Sequence, residues 1–196
     1  KIHTSCTTNV NELIVLPTRA MSEADKDYAL AFAIPVNTPG VKLVASPYGG
    51  SPKSEFDAPL SADRKMMETI TIFDDVFVPW DRVFMAGEHD FAAAIALGFV
   101  EYHRFTAVSY KLPLVDALIG SALLMADMNG IAKAAHVRDK MIWLISYAET
   151  LRALTEMAAI RGTGDADGIF APDALTTNMA KYHFAHHYHE ALQHVQ

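Results

Sequence analysis

After Gly87 the chain changes its pattern of apolar and turn-forming residues, and that change limits the fold more than any other feature. Before it, apolar or β-branched runs at Glu12–Pro17, Tyr28–Pro35, Val41–Ala45 and Glu68–Phe73 alternate with Pro17, Pro35, Pro39-Gly40, Pro47, Gly49-Gly50 and Pro52. Proline and glycine end strands and set turns, so this part reads as about four or five strands of an antiparallel sheet or barrel. Asp74-Asp75 turns the chain into one more short extended piece, Val76–Pro79.

Beyond Gly87, Ala, Leu, Met and charged residues replace the prolines, and the apolar spacing moves to the helical period. One helix is expected from near Asp90 toward Lys111, stopping ahead of Pro113, because proline disfavours helix in the residue before it. A second runs from Leu114 to Met128 and is closed by Asn129-Gly130. The third, Ala132 to Arg161, carries the stripe Val137, Met141, Leu144, Ile145, Ala148, Leu151 and Leu154. Gly162 and Gly164 end it, and a last helix starts at Ala174 after Pro172-Asp173. The fold class is α+β: a β-rich domain over residues 1–86, followed by a partial helical bundle over residues 87–196.

Composition excludes several partners. With 196 residues, 51% of them hydrophobic, the chain can bury a core; its net charge of −7 and the absence of a Lys/Arg cluster leave nucleic acid nothing to grip. Neither a basic-then-apolar leader nor an uninterrupted apolar run of about 18 residues is seen, so no membrane partner is expected. Cys6 is the one cysteine, which rules out an intrachain disulfide and a multi-thiolate metal site built from this chain alone. A soluble protein of the reducing cytoplasm is expected. The sequence begins inside structured chain and reads as truncated.

Three stretches carry a family likeness. Ile72–Phe84, with Asp74-Asp75 and Pro79-Trp80-Asp81-Arg82 at its centre, resembles the segment between the β domain and the helical domain in the family of 4-hydroxyphenylacetate 3-hydroxylases and 4-hydroxybutyryl-CoA dehydratases. Tyr102-His103-Arg104 is similar to the dehydratase helix that gives a histidine to an iron–sulfur cluster. His3–Glu12, leading into Leu13–Pro17, is similar to the family strand beside the flavin ring. Pro39-Gly40 and Ala148–Arg152 fit as well, so the likeness covers nearly the whole chain. It implies an acyl-CoA dehydrogenase-like architecture whose N-terminal helical domain is absent here, with FAD or FMN as cofactor and a homotetrameric assembly.

The resemblance also assigns candidate site residues. His103 stands where the cluster-ligating histidine stands, and Lys111 matches a family lysine. The family's cluster cysteine falls at Tyr110, two helical turns after His103, and a neutral phenol is a poor ligand for a soft iron–sulfur centre. An intact [4Fe–4S] site is therefore not expected. The family tyrosine one turn after the histidine is Ala107 here. Glu68 precedes His103 by a separation like that of the dehydratase's active-site glutamate and ligand histidine. A carboxylate desolvated in a cleft suits proton transfer near neutrality. Ser5 matches a threonine whose hydroxyl points toward flavin N5, with Thr4 and Asn9 as neighbouring cofactor contacts, because polar contacts at N5 tune a flavin's redox behaviour.

Each assignment has a plain structural alternative. His103 could simply hydrogen-bond at a domain junction, Glu68 could be an exposed strand-end carboxylate, and Thr4 to Asn9 could be an ordinary polar loop with Cys6 a packed thiol. The histidines at 183, 186, 187, 189 and 194 lack the one-turn spacing of a zinc protease motif after Glu190 and read as a solvated or subunit-contact surface. Arg82, Arg104 and Arg152 could grip phosphates or pair with Asp81, Glu101 and Glu149.

The function expected for the full-length parent is a flavin-dependent acyl-CoA dehydratase or isomerase of 4-hydroxybutyrate metabolism. The alternative is a two-component aromatic hydroxylase, with a phenolic substrate and a partner flavin reductase. A third possibility is a structural paralogue, and the fragment by itself is expected to be inactive.

Overall fold

The computed structural model describes residues 2–46, 54–60 and 67–196, with side chains from Thr4 onward; Pro47, Gly49, Gly50 and Pro52 lie outside the described residues. The chain divides into two compact units, Lys1–Ala96 and Leu97–Gln196.

In the first unit the strands are β1 (Ile2–Ser5), β2 (Glu12–Val15), β3 (Leu30–Pro35), β4 (Val41–Ser46), β5 (Glu68–Phe73) and β6 (Val83–Ala86). They form two antiparallel three-stranded sheets, β1-β5-β4 and β2-β3-β6, and not a closed barrel. The stretch expected to run as one strand into Leu13 is split. Cys6 adopts φ 61 in the left-handed region and Thr7–Asn9 form a 3-10 turn, so β1 and β2 belong to different sheets. Val76–Pro79 stays outside the ladders, while Pro79 accepts from the Arg82 amide and starts a 3-10 turn at Trp80–Arg82; the sixth strand follows it.

Small residues let the chain layers approach in this unit. Ala29, Ala31, Met85 and Ala92 form a buried cluster with Leu16, Met21 and Ile95 against it. Phe32 of β3 meets Phe73 of β5 edge to face, with centroids 5.9 Å apart.

The helices are α1 (Ala92–Ser109), α2 (Lys111–Met128), α3 (Ala135–Ile160) and α4 (Ala174–Val195), with a two-stranded hairpin of β7 (Thr163–Gly164) and β8 (Phe170–Ala171) before the last. Pro113 does not precede α2 as expected but lies inside its first turn, where a missing N–H leaves no helix bond unmade. Its ring and absent donor instead interrupt the path from α1, at Tyr110. Gly130, at φ +70, closes α2, with the Ile131 amide reaching back to the Ala126 carbonyl at 2.9 Å, the six-residue reach of a Schellman turn.

The second unit's core is Val108, Val115, Ala122, Leu144, Tyr147, Ala148, Leu151, Ala180, Phe184 and Ala191. On α3 the expected stripe holds at Leu144, Ala148 and Leu151, but Ile145 is exposed and Tyr147 takes the inward position. The α4 start is capped by Asp173, whose carboxylate accepts from the Thr176 amide at 2.8 Å and from the Thr176 hydroxyl. Those bonds, the hydroxyl's first, hold the Asp173 carboxyl below the usual range.

By length and composition alone His89–Met128 is apolar enough to cross a bilayer. Arg104, Lys111, Asp116 and Asp127 recur along it, each opposed by about 2.5–3.5 kcal/mol at a bilayer centre. Lipid is a poor solvent for this stretch.

Candidate active site

The antiparallel register of β1 and β5 sets Ser5 opposite Glu68 and Thr4 opposite Thr69. Successive side chains point to opposite faces of a strand, so these two pairs are separated by the sheet itself.

On the covered face, the Thr4 hydroxyl lies 3.0 Å from that of Thr69 and 3.3 Å from that of Thr71, and it also meets the Thr7 hydroxyl. The Thr69 hydroxyl donates to the Thr4 carbonyl at 3.0 Å. Thr7, Thr69 and Thr71 are each about 98% removed from solvent. A buried hydroxyl is costly unless bonded, so these four satisfy one another and fix the register. Thr4 is thereby placed with the threonine cluster, and Ser5 with the other face.

On that other face the Ser5 hydroxyl donates to Glu68 Oε1 at 2.7 Å. Ser5 is exposed and Glu68 half-buried. Beside them β4 sets Ser46 opposite Glu68 and Val44 opposite Ile70, and both apolar side chains are exposed, 56% and 43%. Farther along, Lys42 pairs with Asp74 at 2.6 Å, which holds the Asp74 carboxyl below its usual range. Val44 and Ile70 thus form an apolar step on this face, with hydrogen-bonding groups at one edge. Asn9 lies in the exposed 3-10 turn, where its side-chain oxygen accepts from the Thr8 hydroxyl at 2.9 Å.

In the second unit His103 is exposed on α1, its ring stacked on Phe99 one turn earlier at 5.4 Å between centroids. Ala107 is buried and Tyr110 exposed. Lys111 opens α2 half-buried, with Nζ 4.7 Å from the Phe184 ring centroid and 5.4 Å from that of Tyr110. Burial, and secondarily the charge of Lys181, push its ammonium below the usual lysine range.

The donor chemistry here does not fit an iron–sulfur cluster. Tyr110 brings a phenol at the position where the family resemblance puts a thiolate. Among the described residues no three His, Cys, Asp or Glu side chains converge as metal ligands.

The arginines are engaged, two of them with partners other than those expected. Arg82 reaches Glu12 at 2.8 Å, Arg104 reaches Asn178 at 2.7 Å, and Arg152 spans Asp116 at 3.0 Å and Glu149 at 3.2 Å. Nor do all five histidines of α4 form a solvated surface. His183, His187 and His194 are half-buried against α3, with the Trp143 and His194 rings 4.6 Å apart, while His186 and His189 are exposed. Sequence reasoning also missed the roles of Thr7, Thr69 and Thr71. The alternation Thr69-Ile70-Thr71 within a strand was the available signal.

The profile of the 4-hydroxyphenylacetate 3-hydroxylase N-terminal region matches residues 1–85, and that of its C-terminal region matches residues 92–196. The chain is 37% identical over 188 residues to the 4-hydroxybutyryl-CoA dehydratase/vinylacetyl-CoA-Delta-isomerase of Clostridium aminobutyricum, covering 92% of this chain and 38% of that protein. It is 34% identical over 165 residues to a 4-hydroxyphenylacetate 3-monooxygenase oxygenase component of Thermus thermophilus, covering 83% of this chain and 34% of the other. The structure of an oxygen-tolerant 4-hydroxybutyryl-CoA dehydratase from N. maritimus superposes with a TM-score of 0.90 at 31% identity, over 99% of this chain and 39% of that one. An oxygenase component of 4-hydroxyphenylacetate 3-monooxygenase, solved with FAD and 4-hydroxyphenylacetate, superposes at 0.83 and 31% identity, over 94% of this chain and 39% of that one. The chain thus spans well under half the length of the relatives it matches. With both profiles in sequence order along it, this chain belongs to the 4-hydroxyphenylacetate 3-hydroxylase family, which includes 4-hydroxybutyryl-CoA dehydratase relatives and has an acyl-CoA dehydrogenase-like fold.

Proposed function

We propose that the full-length protein is an FAD-dependent acyl-CoA isomerase or dehydratase of the vinylacetyl-CoA type. The observation that carries this reading is the 37% identity to the Clostridium dehydratase/isomerase over 92% of the chain. Ser5 and the Val44–Ile70 step are the groups that would hold the flavin ring, with Asn9 and Thr4 in the adjoining turn and strand. Bound FAD supplies electron-transfer chemistry.

What the chain's own residues contribute is proton handling. In a vinylacetyl thioester the α proton is acidified by both the carbonyl and the vinyl group. A base, Glu68 or His103, takes that proton and leaves the electron pair delocalised over the enolate. Returning a proton to the γ carbon gives the conjugated isomer, with no net redox change. Lys111, whose ammonium is pushed below the usual lysine range by burial, would bind the thioester side of the substrate as a cation. Isomerisation needs no Lewis acid at the Tyr110 position, whereas dehydration must break an unactivated C–H bond, so the Tyr110 phenol favours the isomerase half.

A second reading, a two-component hydroxylase of small phenols served by a flavin reductase, draws on the Thermus relative and on the 0.87 TM-score to a 4-hydroxyphenylacetate 3-monooxygenase oxygenase component across 100% of this chain. Either enzyme would assemble as a homotetramer in the cytoplasm. Leu123, Leu124, Met125 and Met128 of α2 are exposed apolar side chains that further protein would cover.

The test uses the full-length protein reconstituted with FAD. Vinylacetyl-CoA isomerisation is assayed beside hydroxylation of 4-hydroxyphenylacetate with an added reductase. Turnover of the thioester, lowered at least about 100-fold in Glu68→Gln or His103→Ala, is the expected result. Phenol turnover with no thioester reaction would establish the second reading instead.

A further inference from the structure

The Lys111 amine is partly withdrawn from water with no acid to balance it. Its Nζ lies 4.7 Å from the Phe184 ring centroid and 5.4 Å from that of Tyr110. Among the described residues no carboxylate forms an ion pair with it, and α4 carries no Asp or Glu between Asp173 and Glu190. The charge that acts on it is of its own sign, from Lys181 on α4. Burial first, and then that charge, push the ammonium down, although the ring faces attract it. A larger share of this amine is therefore neutral, with its lone pair free, than for an ordinary lysine at the same pH.

We propose that Lys111 is a covalent acylation site, at which a small acyl thioester transfers its acyl group to Nζ, with Lys181 beside it as a fixed cation. The neutral amine attacks the carbonyl carbon of the thioester. A C–N bond forms, the C–S bond breaks, and the sulfur leaves with the electron pair of that bond. The proton released from nitrogen goes to the departing thiolate. An uncharged amide and a free thiol result, and nothing is oxidised or reduced.

The surroundings of the amine support this chemistry. A desolvated lysine, or one next to another cation, is nucleophilic near neutral pH, and Lys111 meets both conditions. The surface beneath it is fixed: Phe184 is buried, its carbonyl accepts from the Tyr147 phenol, and its ring stacks on Tyr188 with centroids 5.0 Å apart. Lys111 itself is only half-buried, and Tyr110 and Lys181 are both exposed, so the amine is open to a solute. Lys181 also attracts the anionic carrier that an acyl-CoA brings with its acyl group. The inference rests on the reading above for one thing, the thioester class of the electrophile. Acylation would remove the cation proposed to bind the thioester side of the substrate, so the substrate's own class would inactivate the protein.

The experiment incubates the FAD-loaded full-length protein with acetyl-CoA at about pH 8, where ordinary lysines are almost wholly protonated, and follows acetylation of each lysine by peptide mass spectrometry. Lys111 should be acetylated several-fold faster than the other lysines of the folded protein. Lys181→Gln, a surface change, should slow Lys111 several-fold, and Lys181→Arg should restore the rate. In protein unfolded by urea the preference for Lys111 should vanish, because it depends on packing against α4.

Equal acetylation of Lys111 and the other lysines overturns the proposal, as does a preference that persists in the unfolded chain. A Lys111 rate unchanged in Lys181→Gln overturns the part given to the neighbouring cation. Acetyl-CoA has no vinyl group to isomerise, so this result is separate from turnover. Preferential acetylation without vinylacetyl-CoA isomerisation would keep the acylation site and sink the isomerase reading, and isomerisation without preferential acetylation would do the reverse.

Discussion

Tyr147 on α3 donates its phenol hydrogen to the Phe184 carbonyl on α4 at 2.9 Å, and His183 Nε2 returns a bond to the Tyr147 carbonyl at 3.1 Å. The two form a reciprocal clasp across the helix pair. Burial, with a lesser effect of Tyr188, pushes the Tyr147 phenol well above its ordinary range, so it stays protonated at any working pH. Tyr147→Phe keeps the ring and removes the donor. The Phe184 carbonyl lies within a helix and retains its helical partner, so the expected cost is about 1 kcal/mol, read as a lower urea midpoint at unchanged slope.

The burial of His183 makes the helical unit acid-sensitive. Burial depresses the His183 imidazole below its usual value, the neighbouring charge of His187 adds to this, and the bond to the Tyr147 carbonyl opposes it. The unfolded chain therefore takes up a proton at His183 before the folded one does. The stability so linked is present above about pH 6.5 and is lost as pH falls from there through the lower folded value. Melting temperature should drop between pH 7.5 and pH 5, and a His183→Gln variant should show a shallower drop. An equal drop in the variant would assign the effect to other groups.

Leu151 is fully buried in the core that also holds Leu144, Tyr147 and Ala148 of the same helix. Leu151→Ala leaves a cavity among residues held by the α3–α4 contacts and should cost about 2–5 kcal/mol in chemical denaturation. A loss below 1 kcal/mol would mean that this core collapses to fill the space.

At Gly162 an added Cβ would stand 2.3 Å from Phe170 Cζ and 2.6 Å from the Ala171 carbonyl oxygen. The ring can swing away, but the carbonyl belongs to the backbone of β8. Gly162→Ala should displace the hairpin and cost about 1–3 kcal/mol. Faster proteolysis within residues 163–171, with cleavage elsewhere unchanged, is the expected signature.

Lys111 should be the distinctive lysine of the described helices. Burial beside Phe184 and the nearby charge of Lys181 both disfavour its ammonium form. In a 13C-methylated sample its resonance should titrate below the ordinary lysine range, and Phe184→Ala should move it back toward that range. A Lys111 signal that titrates in the ordinary lysine range in the unsubstituted protein would contradict the burial argument.

Much of the architecture was legible because it depends on local chemistry. β5 was read at the bounds it has, since Thr69 to Phe73 is β-branched and aromatic and Asp74-Asp75 cannot extend it. The end of α2 at Asn129-Gly130 follows from glycine's tolerance of positive φ. Local pattern failed where a long-range partner decides. Leu13–Val15 and His3–Ser5 look like one strand, yet they pair with Ile34–Phe32 and Ile70–Glu68 in different sheets. Pro113 looked like a boundary because its compatibility with a first helical turn depends on where that turn begins.

The sequence by itself determined the family, the order of a β-rich part and a helical part, and the residue types available at Ser5, Glu68, His103, Tyr110 and Lys111, because identity and spacing along the chain are covalent facts. Only the tertiary structure decided that Ser5 is bonded to Glu68 while Thr4 faces the opposite side with Thr69 and Thr71. It also decided that three α4 histidines are half-buried against α3 while two remain exposed. The physical reason is that strand register and helix packing are chosen by partners far away in sequence. A single step of register would exchange the two faces of β1 without changing one residue.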